Sequence, residues 1–223
     1  MERLFCAMRY WRGVIIFMTL ALFQPAPAAV SIAAMAEPVP AEDYPFYDLA
    51  VADKFLTSYT QLVVIERMTE THLHPEEPQL PTIAWFAERA CFDGRLPQDL
   101  LRDFVTKNQR ASRLDRRFGF GVRYRFVSGE GGGDAETSVP AIPAAWFVQQ
   151  EGGAPDIIDR LAFSRVGLNL RADQALLYVA NPRPDGTGAG FLLWFVRQQK
   201  VWSLHDTEVL WVSRPDQASS GRR

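Results

Sequence analysis

Gln174-Ala175-Leu176-Leu177-Tyr178-Val179-Ala180-Asn181 and, a turn later, Gly190-Phe191-Leu192-Leu193-Trp194-Phe195-Val196 decide how this chain folds. Leu176 to Ala180 and Phe191 to Val196 are continuously apolar rather than alternating, so each reads as a strand covered on both faces. The long strands are expected at 174–181 and 190–198, with others at 161–169, 200–206 and 208–213. Connections such as Gln198-Gln199-Lys200 are too short for a parallel crossover, which needs a dozen or more residues. The last third of the chain therefore predicts an antiparallel meander. Helices can cover one of its faces; the other calls for the glycine-rich segment, a curled sheet or a second subunit.

Upstream, Tyr47, Val51, Phe55 and Tyr59, with Ala52 and Leu56, recur at spacings of three to four and predict a helix over 46–59. Leu62-Val63-Val64-Ile65-Glu66-Arg67-Met68 is short and β-branched, hence a strand, and Pro75, Pro78 and Pro81 end regularity after it. Pro97 suits a first helical position, with Leu100, Leu101, Phe104 and Val105 on the inner face of a helix that stops near Asn108. Arg123 and Arg125 alternate with Tyr124 and Phe126, as in a strand with one wet face. Gly129, Gly131, Gly132 and Gly133 make 128–140 a surface loop. The expected fold class is α+β: an antiparallel sheet meander in the C-terminal half with two to four helices packed on it.

The N-terminus says where the chain goes. Arg3, Arg9 and Arg12 form a positive region, Val14 to Phe23 is almost unbroken apolar sequence, and Ala34-Met35-Ala36 supplies small residues before Glu37. This reads as a secretory signal over 1–36, removed on export to a periplasmic or extracellular location. The apolar run is about half the ~20 residues needed to cross a bilayer, and Pro25 and Pro27 interrupt its continuation, so no transmembrane segment is expected in the mature chain. An extended leader (37–46), one domain (47–213) and a disordered tail (214–223) complete the expected organisation.

Of the 223 residues, 24 are basic and 26 acidic, a formal net charge of −2. A protein that grips nucleic acid carries a basic excess to displace counterions from phosphates, so nucleic acid is not an expected partner. Cys6 lies in the signal, which leaves Cys91 alone after cleavage and no internal disulfide. Its apolar surroundings predict a buried, inert thiol.

Few residues suggest chemistry. Gly186-Thr187-Gly188-Ala189-Gly190 invites a phosphate-loop reading, but such loops feed a helix, whereas Phe191 onward is strand-like, so a hairpin turn is expected. His72 and His74, with Glu70 or Glu76, have the spacing to share a metal on an extended segment, without the third ligand that would make a site. His205 and Asp206 are neighbours on a strand and point to opposite faces, unsuited to a catalytic relay. Ser164 lacks the strand-to-helix elbow of a nucleophile. Arg165, Asn169 and Gln174 fall on adjacent strands of a hairpin closed near Arg171-Ala172-Asp173 and form the one candidate binding set, suited to a carboxylate, phosphate or peptide backbone. The competing structural expectation gives Asn169 a turn, Arg165 an acidic partner and Gln174 to solvent. Arg110, Arg113, Arg116, Arg117, Arg123 and Arg125 make a locally basic stretch, a solvated face or a contact for anionic lipid or an acidic partner.

Ser164-Arg165-Val166-Gly167-Leu168-Asn169, Gln174-Ala175-Leu176-Leu177-Tyr178-Val179, Gly188-Ala189-Gly190-Phe191, Trp202 and Trp211-Val212-Ser213 form an ordered series. With Leu62 to Thr69, Leu100 to Asn108 and Trp146-Phe147, that series resembles a family of exported bacterial proteins without an assigned activity. The resemblance covers most of residues 50–213 and implies export and a shared fold. Many such chains carry two cysteines in the turn before the penultimate long strand; Asn181 to Gly190 has none, so no redox or metal role transfers.

The functional expectation is a non-catalytic binding or accessory module of the cell envelope, without cofactor or metal, whose partner is a ligand or an envelope protein. The alternatives are a hydrolase or transferase assembled from distant residues such as Arg165, Asn169 and His205, and a structural homodimer.

Overall fold

The computed structural model describes residues 36–127, 157–183 and 186–214. The expected signal up to residue 35, the glycine-rich loop, Trp146-Phe147 and the tail beyond Arg214 lie outside the described residues. Seven strands make one sheet: β1 (Leu62–Glu66), β2 (Arg123–Val127), β3 (Ile157–Phe163), β4 (Gly167–Leu168), β5 (Gln174–Pro182), β6 (Gly188–Gln198) and β7 (Val201–Ser213). Their spatial order is β2-β1-β3-β5-β6-β7, with β4 also alongside β5. The meander β5-β6-β7 is antiparallel, as its short connections require. The sheet as a whole is not: β1 runs parallel to both β2 and β3, so the expected antiparallel architecture is corrected to a mixed sheet. The chain between β1 and β2 is long enough for the parallel crossover that the C-terminal connections forbid.

Among the described residues three α-helices flank this sheet: α1 (Tyr44–Ala50), continued by a π-helical turn over Val51–Phe55, α2 (Ile83–Glu88) and α3 (Gln98–Lys107). On one face, Tyr44, Phe46, Tyr47, Ala50 and Val51 pack with Leu114 against Ile65, Phe163, Val179, Leu193 and Phe195. On the other, Phe86, Cys91, Leu100 and Phe104 pack on Leu176, Tyr178, Leu192, Trp194 and Trp211. The chain thus covers both faces of the apolar meander itself, and the burial that suggested a second subunit is met from within.

Several boundaries differ from expectation for identifiable reasons. The first helix begins at Tyr44 and ends at Phe55, because Leu56 turns to an extended backbone (ψ 139°). The leader is extended only to Pro40. Arg113 donates to the Glu37 carbonyl (2.8 Å) and its own carbonyl accepts from Val39 (2.9 Å), while the flanking residues Ser112 and Leu114 bond across to Thr69 and Arg67. The leader is therefore an extra strand-like arm, and a 3-10 turn at Ala41–Asp43 feeds α1. Pro97 is the residue before α3 rather than its first, with Asn108 its C-cap as expected. The strands expected at 200–206 and 208–213 are one strand, bulged at His205 and Leu210 where its register against β6 shifts. Short α2 and the 3-10 turn Cys91–Gly94 fall where the prolines and mixed polarity masked any period.

The expected strand 161–169 is broken. β3 pairs with β5 through Ala162 and Phe163, β4 resumes through Gly167 and Leu168, and Ser164-Arg165-Val166 lies between them. That interruption shapes the rest of the molecule.

Candidate functional site

Breaking a strand in a protein interior strands backbone donors and acceptors that must be paired elsewhere. Ser164 keeps the tie to β5 with its side chain: Tyr178 N–H donates to Ser164 Oγ (2.9 Å), which itself donates to the Arg165 carbonyl (3.0 Å). The Ser164 carbonyl accepts from Tyr47 Oη (3.0 Å). Asn108, at the end of α3, accepts from Arg165 N–H (2.8 Å) and donates back to its carbonyl (3.1 Å). Asp43 accepts from Val166 N–H (3.3 Å) and from Arg165 Nε (2.7 Å).

Arg165 is 9% exposed and Asp43 1%. A charge this desolvated persists only when paired, so the guanidinium and carboxylate hold each other in place and tie the start of α1 to the centre of the sheet. Burial first, then the Asp43 carboxylate, pushes the Tyr47 phenol well above its ordinary range and keeps it a neutral donor.

Helix α3 extends this arrangement. Asp99, Asp103 and Lys107 recur every four residues, which aligns them on one side of a helix. Lys107 Nζ donates to the Val166 carbonyl (3.2 Å), Asp103 accepts from Leu168 N–H (2.7 Å), and Asp99 accepts from Leu170 N–H (2.9 Å). The Leu170 N–H holds the Asp99 carboxyl below its ordinary value. One helix side therefore satisfies alternate backbone groups of β4 and the residues flanking it, Val166, Leu168 and Leu170. Gly167 permits the approach, since a Cβ there would sit 2.5 Å from Phe104 Cβ. The spacing of Asp99, Asp103, Lys107 and Asn108 was legible as a polar stripe, but nothing in the sequence said that it faced backbone rather than water.

The candidate binding set separates. Arg165 belongs to the Asp43 network. Asn169 closes the β4–β5 turn, accepting from Asp173 N–H and Gln174 N–H (both 3.0 Å) and donating to Asp173 Oδ1 (2.7 Å). Gln174 accepts from Trp194 Nε1 (3.1 Å). Asn169 and Gln174 are brought together through the turn; Arg165 shares no hydrogen-bond partner with either among the described residues.

The other candidates are also placed. His205 is exposed on β7 with its ring edge-on to Trp194 (4.7 Å), and among the described residues it shares no partner with Arg165 or Asn169. His72 Nδ1 contacts Thr71 Oγ1 (3.1 Å), whereas His74 Nδ1 accepts from Glu76 N–H (3.1 Å). Among the described residues no group of three or more His, Cys, Asp or Glu is arranged to hold a metal ion. Cys91 is buried, and desolvation raises its thiol from 9.0 to about 11. The glycine series is a β5–β6 hairpin in which Gly190 lies under the Trp211 indole, where a Cβ would fall 2.1 Å from Nε1. Arg113 pairs with Asp115 (3.6 Å), Arg125 lies half-buried on β2, and Arg110, Arg116, Arg117 and Arg123 are exposed. No helix among the described residues is long and apolar enough to cross a membrane.

A concave feature that sequence reasoning missed lies beside β7. Arg89, Phe92, Arg95, Asp206, Thr207 and Glu208 line an open cleft of about 370 Å³. Its wall is unusual backbone: Ala90 (φ 49°), Phe92 (φ 52°) and Asp93 (φ 55°) all adopt the left-handed region that non-glycine residues avoid. Glu208 holds this wall by accepting from Phe92 N–H, and Arg95 bridges the Phe92 carbonyl (3.0 Å) to Asp206 (3.2 Å). Arg89 is occupied by Glu77 and stacks on Trp85 (4.1 Å).

Compared with protein-family models, curated proteins and solved structures, the chain matches none.

Proposed function

We propose that this chain is an exported binding or accessory module of the cell envelope, acting without covalent chemistry and recognising its partner beside β7. The observation that carries the reading is the division of the polar side chains. Arg165, Ser164, Asn108 and Asp43 are buried and engaged with one another and with backbone. The polar groups of the cleft pair among themselves and with Phe92 but remain within reach of solvent, Arg89, Asp93 and Arg95 being exposed and Asp206 and Glu208 half-buried. They lie on a strained wall, and strained backbone persists where surrounding structure and function hold it. Export is supported by the charged and apolar N-terminal pattern that ends in the small residues Ala34-Met35-Ala36.

Two readouts test this. Produced from its full sequence in a bacterium with a periplasm, the chain is expected in the periplasmic fraction with Glu37 as its first residue by mass spectrometry. An intact Met1 in the cytoplasm would overturn export. A photo-reactive residue at exposed His205 is expected to give a discrete adduct in intact cells, with none from Leu170, which is 92% exposed. Adducts at neither position, or at both alike, would overturn recognition beside β7.

A further inference from the structure

Resting on that reading, we infer that the partner is an extended peptide segment carrying basic side chains, which adds as a short strand to the outer edge of β7 between its two bulges. β7 closes the described sheet: it pairs with β6 on one side, and on the other no backbone hydrogen bond joins it to any described residue. Edge strands are usually protected by charged side chains, proline, bulges or a covering element. β7 has its bulges and the acidic pair Asp206 and Glu208, which repel an acidic strand and admit a basic one. Val201–Ser213 contains neither proline nor lysine, and Val201, Val209 and Val212 are 67%, 52% and 63% exposed.

The bulges at His205 and Leu210 bend the edge and leave Asp206–Val209 as its regular central piece. A bent edge disfavours long, flat pairing with a second copy and suits a short segment. Asp206 and Glu208, two apart, share the strand face that lines the cleft, and Asp93 adds a third carboxylate. Arg95 pairs with Asp206 (3.2 Å) and Asp93 (3.7 Å), and Glu208 accepts from Phe92 N–H through one of its oxygens. With Arg89 occupied by Glu77, three carboxylates face the single guanidinium of Arg95, and this net negative charge favours a basic side chain. Main-chain bonds to the edge would give affinity, and alternate side chains would be read as basic toward the cleft and apolar toward Val209.

The test is fluorescence anisotropy of the full exported chain with a short fluorescein-labelled peptide of alternating valine and lysine. The comparison peptides are an alternating valine and glutamate sequence and the valine–lysine sequence N-methylated on every second amide. Saturable binding is expected, weaker by about tenfold or more for both comparison peptides and for Val209→Lys, whose melting temperature stays that of the parent. Equal binding of the N-methylated peptide would overturn strand addition, and equal binding of the glutamate peptide would overturn the charge assignment. No binding up to ~1 mM would overturn the proposal altogether. A concentration-dependent dimer abolished by Val209→Lys would make the occupant a second copy instead. Failure here with the His205 adduct intact would leave a binding module of different chemistry, whereas failure of both removes that reading as well.

Discussion

Arg165 and Asp43 place opposite full charges where water is almost excluded, and that choice has a signature distinct from ligand recognition. Removing one partner, as in Asp43→Ala, leaves the other charge buried and should cost about 3–5 kcal/mol in urea unfolding. Replacing both with apolar residues of similar size, Asp43→Leu with Arg165→Met, should recover most of that loss, since a buried pair is of little net benefit over good packing. A double variant no better than the single would mean that the charges contribute beyond holding each other. Gly190 makes a second prediction at this scale. A Cβ there overlaps Trp211, so Gly190→Ala should cost about 1–3 kcal/mol, and less when combined with Trp211→Leu, the thermodynamic cycle being the measurement. Sequence reasoning foresaw an acidic partner for Arg165 and a turn for Asn169, because side-chain chemistry constrains the kind of partner. Gln174, expected in solvent, instead accepts from Trp194, and the identity of Asp43, 122 residues from Arg165, depended on topology.

Helix α3 carries the clearest claim at the scale of elements. Its inner stripe of Leu100, Leu101 and Phe104 was legible by period, whereas its second stripe, Asp99, Asp103 and Lys107, reads in sequence as a solvated face and in fact pairs with the backbone of β4. Asp103→Ala should leave the Leu168 N–H without its partner and cost about 1–3 kcal/mol, a loss that an exposed i,i+4 pair with Lys107 alone would not produce. The cleft wall predicts the opposite sign. Ala90 is exposed at φ 49°, so Ala90→Gly relieves a left-handed strain of about 1–2 kcal/mol, partly offset by glycine's extra entropy, and should raise the melting temperature slightly. A lower melting temperature would mean that the left-handed geometry is not strained in its context. The strand break at Ser164–Val166 could not be read from the sequence, because residues 161–169 contain no proline to interrupt a continuous strand.

For the described residues taken together, a three-layer arrangement with helices on both faces of a mixed sheet explains why continuously apolar strands need no second subunit. The meander was legible from its apolar runs and short connections. The parallel pairing of β1 with β2 and β3 was not, since long connections permit either direction. Burial also sets a response to alkali. Cys91 ionises near 9.0 when unfolded and near 11 when folded, so between these values the folded state holds a proton that the unfolded state has lost, and stability falls as pH rises. Tyr44, Tyr47 and Tyr178, raised chiefly by desolvation, act in the same direction at higher pH. Chemical unfolding between pH 8 and about pH 11 should show a monotonic decline, and Cys91→Ala should lessen its first part. The central claim is that Arg165, with Asn108, Asp43 and Ser164, closes a break in the sheet, and residue-resolved amide hydrogen exchange tests it most directly. The N–H groups of Arg165, Val166, Leu168 and Tyr178, bonded to Asn108, Asp43, Asp103 and Ser164, should exchange only with global unfolding. Exchange of Arg165 and Val166 as fast as an exposed turn, with Tyr178 protected, would contradict it and return the arginine to the groups free to meet a ligand.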